Sequence, residues 1–345
     1  MSAVLAATVV IAAGIAACLG TRALIPLLRR AAVLDRPNER SSHEIPTPRG
    51  GGIAVVGASL AAWLILIATG TAPLSLLAVI AGAAALALIS WLDDLRGLSP
   101  AVRLGAQCAA VALGLVAALP EGAVFQGWLP PALDRAAAAL LWLWFVNLYN
   151  FMDGIDGMAG SEAAAIGIGL ALFAVTGVGH DPAPAAAIAA AALGFLVWNW
   201  APARIFLGDV GSVPLGYLLG FLLLAAATRG HWKIALILPL YFLADATITL
   251  LRRLARGERV WLPHREHFYQ QAVRRGLGHE AVMRRVIAAN LVLIACGLAA
   301  EAGHAAIALI AAVFCVLILL ASLRGLPGRT GSNSTLRPRE RHPKR

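Results

Sequence analysis

The sequence predicts an all-α polytopic membrane protein, and three observations carry that prediction. Hydrophobic residues make up 60% of the 345 positions, whereas Asp, Glu, Lys and Arg together make up 13%. Apolar runs close to the roughly 20 residues that a helix needs to cross a bilayer recur along the chain. Basic residues collect in alternate connectors between those runs. This composition excludes a soluble domain.

The runs cover, in order, 4–27, 51–69, 73–92, 102–119, 136–151, 162–178, 184–200, 213–228, 233–251, 283–300 and 303–323. They predict a bundle of about 11 transmembrane helices, N-terminus outside and C-terminus cytoplasmic. A single membrane domain spans 1–323 and a basic, polar, disordered tail spans 324–345. The first run has no basic segment ahead of it, so it reads as a membrane helix rather than a cleaved leader, although Ile15-Ala-Ala-Cys18 faintly resembles a lipoprotein box. The run 136–151 is short. Abundant Ala and Gly permit close helix packing in lipid. The four cysteines lie in or beside apolar runs without metal-like spacing and read as small core hydrophobes.

Topology rests on Lys and Arg. One set of connectors and the tail hold 24 of the 28 basic residues: five over 29–49, two at Arg96 and Arg103, Arg204, nine over 252–285 and seven over 324–345. By the positive-inside rule that side is cytoplasmic. The formal net charge of +10 is therefore mainly topological. Basic residues dispersed over membrane-edge loops exclude nucleic acid as the expected partner. The opposite connectors are short and offer no chemistry.

Four polar clusters fall on the basic side. The first, Asp35 to His43 followed by Pro46-Thr-Pro-Arg-Gly-Gly-Gly52, combines helix-disfavouring prolines with glycines that let backbone approach a ligand. Arg40 and Arg49 suit phosphate, although a stiff basic connector reads equally well. The second is Trp91-Leu-Asp-Asp94, whose adjacent carboxylates need a cation, a basic partner such as Arg96 or Arg103, or a raised pKa.

The third cluster is Asn147-Leu-Tyr-Asn-Phe-Met-Asp-Gly-Ile-Asp-Gly157. Asn147 and Asn150 share a helix face, and Gly154 and Gly157 end the helix, leaving Asp153 and Asp156 in a tight turn. These hard oxygen donors suit Mg2+, though the spacing is not that of an EF-hand. The fourth cluster joins Phe206-Leu-Gly-Asp-Val-Gly-Ser212 with Pro263-His-Arg-Glu-His-Phe-Tyr-Gln270. Backbone N–H groups at a helix start bind phosphate oxygens, and Asp209 would hold a metal between them. His264, Arg265 and His267 suit phosphate or sugar better than zinc, for which further ligands are missing. Asp245 sits inside the ninth run, where insertion costs about 2.5–3.5 kcal/mol. It is expected to face the interior, paired with Arg252 or Arg253, and to support the site.

In this order and spacing, over 35–270, the clusters resemble the polyprenyl-phosphate N-acetylhexosamine-1-phosphate transferases of glycosyltransferase family 4. The resemblance implies transfer of a HexNAc-1-phosphate from a UDP-N-acetylhexosamine to a polyprenyl phosphate such as undecaprenyl phosphate. UMP leaves, and cell-envelope polysaccharide synthesis such as that of O-antigen begins. It also implies Mg2+, with Mn2+ as the alternative ion, and an inner-membrane location with a cytoplasmic site. By resemblance, Asp209 is the principal metal ligand and Asn150 the second. Asp93 and Asp94 stand beside the lipid phosphate, and Arg103 clamps it where relatives often have Lys. Asn147, Asp153 and Asp156 serve the nucleotide side, with Arg49 on phosphate. His264, Arg265 and His267 contact the donor diphosphate or sugar. The phospho-MurNAc-pentapeptide translocases carry consecutive histidines in the last loop. His264-Arg-Glu-His267 departs from that pattern and looks closer to O-antigen initiators. The sugar and a homodimeric assembly stay open.

The competing class is a transporter, which would place charges at mid-membrane and interrupted helices in two related halves. Asp245 is the one clear intramembrane carboxylate in the sequence and no repeat is evident, so the transferase reading is preferred.

Overall fold

Prolines and small residues set the helix ends. The computed structural model describes residues 2–35, 45–176, 181–260 and 264–325. Its helices are α1 (Ser2–Arg30), α2 (Gly52–Ala68), α3 (Leu76–Arg96), α4 (Pro100–Ala117), α5 (Pro131–Phe151), α6 (Met158–Val175), α7 (Ala183–Asn199), α8 (Asp209–Thr228), α9 (Trp232–Ile237), α10 (Leu240–Ala255), α11 (Phe268–Arg274), α12 (His279–Ala299) and α13 (Ala305–Arg324). Pro100 and Pro131 occupy first helical turns, where the missing N–H costs nothing. The Ser99 hydroxyl accepts from Val102 N and caps α4.

Helix α8 is the hub. It is buried along almost its whole length and packs against α2, α3 and α5. Around it, indole and phenol rings place their polar atoms on backbone oxygens, as burial demands. Trp142 Nε1 donates to Tyr217 O at 2.9 Å, and the Tyr217 hydroxyl donates to Ala110 O at 2.9 Å. The Trp142 and Tyr217 rings stack at 4.8 Å. The start of α8 crosses the start of α2 through two glycines: a Cβ on Gly52 would lie 2.2 Å from Gly211 Cα.

The chain is an all-α polytopic membrane protein. By length and apolar composition, six helical segments among the described residues are able to cross a membrane, with α2 and α7 as shorter apolar helices. Each of the eleven predicted runs falls on one of the helices, with two departures. The run 233–251 is split at Leu238–Pro239 into α9 and α10. Between α12 and α13 the chain kinks within Ala300–His304, where Gly303 leaves helical geometry with φ +101°. A two-residue antiparallel ladder, β1 (Leu34–Asp35) with β2 (Thr47–Pro48), was not foreseen.

Two expectations need correction. Asp245 is not the only carboxylate inside the spans: Glu162 in α6 is fully buried and accepts from Asn290 Nδ2 at 2.8 Å. It hides in the sequence at the start of an apolar run. The end of the bundle opposite the basic clusters also carries chemistry, since Glu301 meets His231 Nδ1 at 2.9 Å. Arg40, Pro263 and the tail beyond Gly325 lie outside the described residues.

If the Gly52–Gly211 crossing fixes the two helix starts, Gly52→Ala overpacks it and lowers stability by about 1–3 kcal/mol. Gly57→Ala, on the same helix with open space around it, leaves it unchanged or raises it slightly. Thermal unfolding of the solubilised protein separates the two.

Candidate active site

Two of the predicted clusters are joined through their backbones. Gly50 N and Gly51 N donate to Phe206 O at 3.1 and 2.9 Å, Gly52 N donates to Leu207 O at 2.9 Å, and Phe206 N donates to Pro48 O at 2.8 Å. This ladder sets Arg49 beside the start of α8. Gly208, at φ +74°, caps that start, and a Cβ there would come within 3.1 Å of Arg49 Cγ and 3.2 Å of Asp94 Oδ2. The left-handed backbone and the crowding both require glycine.

Here α3 ends and α8 begins, each with a carboxylate. Arg49 Nη2 lies 2.9 Å from Asp94 Oδ1 and 2.5 Å from Asp209 Oδ1. Val210 N donates to Asp94 Oδ2 at 3.4 Å. Asp209 gains from the positive end of α8, whereas Asp93 and Asp94 face the negative end of α3. Arg103 and Leu98 offset this for Asp93: Arg103 Nη1 donates to its Oδ2 at 3.0 Å and Leu98 N to its Oδ1 at 2.6 Å. The guanidinium side chains are 36% and 42% exposed, against 3% and 10% for Asp94 and Asp93. An anion arriving from solvent therefore meets Arg49 and Arg103 first.

The turn after α5 adjoins this pair. Asn150 Oδ1 accepts from the Ser212 hydroxyl at 2.5 Å, one turn along α8 from Asp209. Asp153 is half-buried, and its carboxyl is pushed up to about 7 by burial first and then by the negative charge of Asp209. Asn147 and Asp156 belong to a second ring of contacts. Asn147 Nδ2 donates to Gln107 Oε1 at 2.8 Å. Asp156 Oδ2 accepts from Ala203 N at 3.0 Å and stands 3.3 Å from His279 Nδ1. Asn147 thereby ties α5 to α4, and Asp156 ties its turn to the connector between α7 and α8 and to the start of α12. Asn199 completes the turn, accepting from Gly157 N at 2.9 Å and donating to Ile205 O at 2.8 Å. Gln107, Asn199, Ser212 and His279 had no assigned role; a lone amide in an apolar run was the available signal for the first two.

The histidine loop is strapped to the same turn. The Tyr269 hydroxyl donates to Phe151 O at 3.1 Å, and a Cβ on Gly154 would meet that hydroxyl. His267 is buried: its Nδ1 lies 3.1 Å from Asp245 Oδ1, which also accepts from Phe268 N at 3.0 Å. Asp245 thus pairs with His267, not with the expected arginines. Arg253 Nε instead donates to Glu258 at 2.9 Å, and Arg252 lies over the Phe268 ring. The His264 ring packs on His267 at 4.9 Å. Partial burial, then the charges of His267 and Arg253, lower its pKa to about 4. At neutral pH His264 is uncharged, suited to a hydrogen bond and not to an ion pair with phosphate. Arg265 is half-buried beside it.

Among the described residues, no three His, Cys, Asp or Glu side chains form a ready metal site. The donor chemistry nevertheless fits a hard divalent cation. The Asp94 and Asp209 oxygens converge on one cationic nitrogen, and the Asn150 oxygen is held by the Ser212 hydroxyl one turn along α8 from Asp209.

A family model described as glycosyl transferase family 4 matches residues 76–227. A probable undecaprenyl-phosphate N-acetylglucosaminyl 1-phosphate transferase of Bacillus subtilis is 29% identical over 294 residues, covering 78% of this chain and 79% of the relative. A phospho-N-acetylmuramoyl-pentapeptide-transferase of Moorella thermoacetica is 33% identical, covering 70% and 81%. A decaprenyl-phosphate N-acetylglucosaminephosphotransferase of Mycobacterium tuberculosis is 30% identical, covering 74% and 73%.

Removing Arg49 leaves Asp94 and Asp209 facing each other. Arg49→Ala lowers stability by about 1–3 kcal/mol, a range reduced for the partly exposed guanidinium, and chemical denaturation measures it. Asp153 gives a pH signature. Its folded pKa lies above the unfolded value, so the folded state binds the extra proton and stability falls as pH rises from about 4 through about 7. In EDTA, Asp153→Asn reduces that slope, the rest belonging to Asp94, which burial also pushes up to about 7, and is more stable than the parent at pH 8, as read by unfolding at pH 5.5 and 8.

Proposed function

The chain belongs to glycosyl transferase family 4, and on that premise we propose that it transfers a HexNAc-1-phosphate from a UDP-N-acetylhexosamine to a polyprenyl phosphate. The relatives' names support this reaction class. The observation that carries it is the pair of solvent-facing guanidiniums, Arg49 and Arg103, backed by buried carboxylates at helix ends on one edge of the bundle. A phosphate anchored by its lipid tail is held at that depth. The arginine-rich connectors support a cytoplasmic site in a bacterial inner membrane.

An oxygen of the lipid phosphate attacks the sugar-bearing β-phosphorus. The bond from that phosphorus to the bridging oxygen breaks, UMP leaves with the electron pair, and a polyprenyl-diphospho-sugar stays in the membrane. A phosphate monoester has a second pKa of about 6, so at pH 7 it is already mostly dianionic. Asp93 therefore holds Arg103 in place to orient the phosphate, and proton removal adds little. Arg49, released from its carboxylates, follows the incoming phosphate charge. Mg2+ held by Asp209 and Asp94, with Asn150 beside them, would offset the repulsion between the two substrates and stabilise the leaving oxygen. His264, as a neutral imidazole, hydrogen-bonds the donor, while Asp245 fixes the tautomer and orientation of His267 behind it.

The test is Mg2+-dependent release of UMP by purified protein from a panel of UDP-GlcNAc, UDP-FucNAc, UDP-QuiNAc and UDP-MurNAc-pentapeptide with undecaprenyl phosphate. One of the first three is expected to turn over. Asp209→Ala loses at least about 100-fold in rate while retaining a cooperative unfolding transition. Asp93→Asn loses rate evenly across pH; a loss concentrated at acidic pH would mean that Asp93 is a base. No UMP from any donor, together with sugar uptake into vesicles, would replace the transferase by a transporter.

A further inference from the structure

A second cationic site lies apart from Arg49 and Arg103. Arg252, Arg256 and Arg324 line a polar pocket of about 270 Å³ together with Thr249, Glu266 and Gln271. It sits where α10 and α13 end, against α11. Arg256 is committed, 2.6 Å from Glu258 and also bonded to Glu266. Arg252 and Arg324 have no carboxylate within ion-pair distance among the described residues. Glu258 and Glu266 are both taken up by Arg256, so an anion between Arg252 and Arg324 completes the charge of the pocket. The two helices that end at the pocket also carry exposed apolar residues: Leu251 and Leu254 on α10 and Leu317 and Ile318 on α13 are all more than half exposed.

We propose that this pocket binds the phosphate of an anionic phospholipid, its headgroup between Arg252 and Arg324 and its acyl chains along the exposed flanks of α10 and α13. The apolar flanks favour a lipid over a soluble phosphate. The guanidinium is weakly hydrated and presents a planar fork to phosphate oxygens, which suits it to this depth better than an ammonium. Thr249, on the pocket wall, also donates to Asp245. The lipid site is thereby adjacent to the Asp245–His267 pair without sharing a residue with the Asp94–Asp209 centre.

The experiment uses the full chain in nanodiscs of phosphatidylcholine alone and of phosphatidylcholine with phosphatidylglycerol. The wild type unfolds at a higher temperature in the anionic discs. R252Q/R324Q loses more than half of that increment. R284Q/R285Q, which removes the same charge from exposed positions on α12, keeps it. An increment retained in R252Q/R324Q, or lost equally in both double variants, overturns the site. Inorganic phosphate reproducing the increment in neutral discs, for the wild type and not for R252Q/R324Q, overturns the lipid in favour of a soluble phosphate. Should R252Q/R324Q fail to fold, R324Q alone is read by native mass spectrometry, where fewer retained phosphatidylglycerol molecules than in the wild type support the site and an equal number contradicts it.

Discussion

One guanidinium nitrogen shared by Asp94 and Asp209 is the contact around which this protein is organised. Two carboxylates at the ends of neighbouring helices repel each other unless a cation stands between them. Arg49 can do so because its backbone is laddered to Phe206 and Leu207, and because Gly52 and Gly211 let the helix starts touch. A side chain at either glycine would push the cation from its carboxylates. A close backbone crossing therefore lies directly beside the most polar point of the site.

From there the architecture serves one edge of the bundle. Helix α8 is the buried centre and presents Asp209 as its first residue, so the carboxylate inherits the rigidity of the core. The helix ends carrying Asp93, Asp94, Asn150 and Asp153 surround it, and Tyr269 ties the histidine loop to the same turn. What reaches solvent is guanidinium; what lies behind is carboxylate. That order of charge attracts phosphates, as a phosphoryl transfer between two anions requires.

Much of this was legible in the sequence because the bilayer restricts the options. Apolar runs of spanning length must be helices, and all eleven fall on them. The carboxylates and amides stood out because a membrane edge has no other reason to collect them. The breaks were harder to see. Pro239 splits a run that hydropathy reads as continuous, and Gly303 marks a kink only through its left-handed φ. Partners were hardest. Asp245 turned to His267, 22 residues on, because a loop folds back over α10; nearest-arginine reasoning follows the helix and misses the loop. Asn147 and Asp156 also bond within the protein, to the Gln107 amide and to the backbone N–H of Ala203, partners that sequence spacing does not reveal. Glu162 escaped notice since its partner, Asn290, lies 128 positions away in another apolar run.

The central claim, that Asp94 and Asp209 form a cation site which Arg49 fills until substrate and metal arrive, is tested most directly by locating Mn2+ through its anomalous scattering in crystals grown with a UDP-sugar. The account predicts a peak coordinated by both Asp94 and Asp209, with the Arg49 guanidinium moved off them toward phosphate. Manganese bound to other residues, or Arg49 still bridging the two carboxylates with Mn2+ and nucleotide bound, would contradict it.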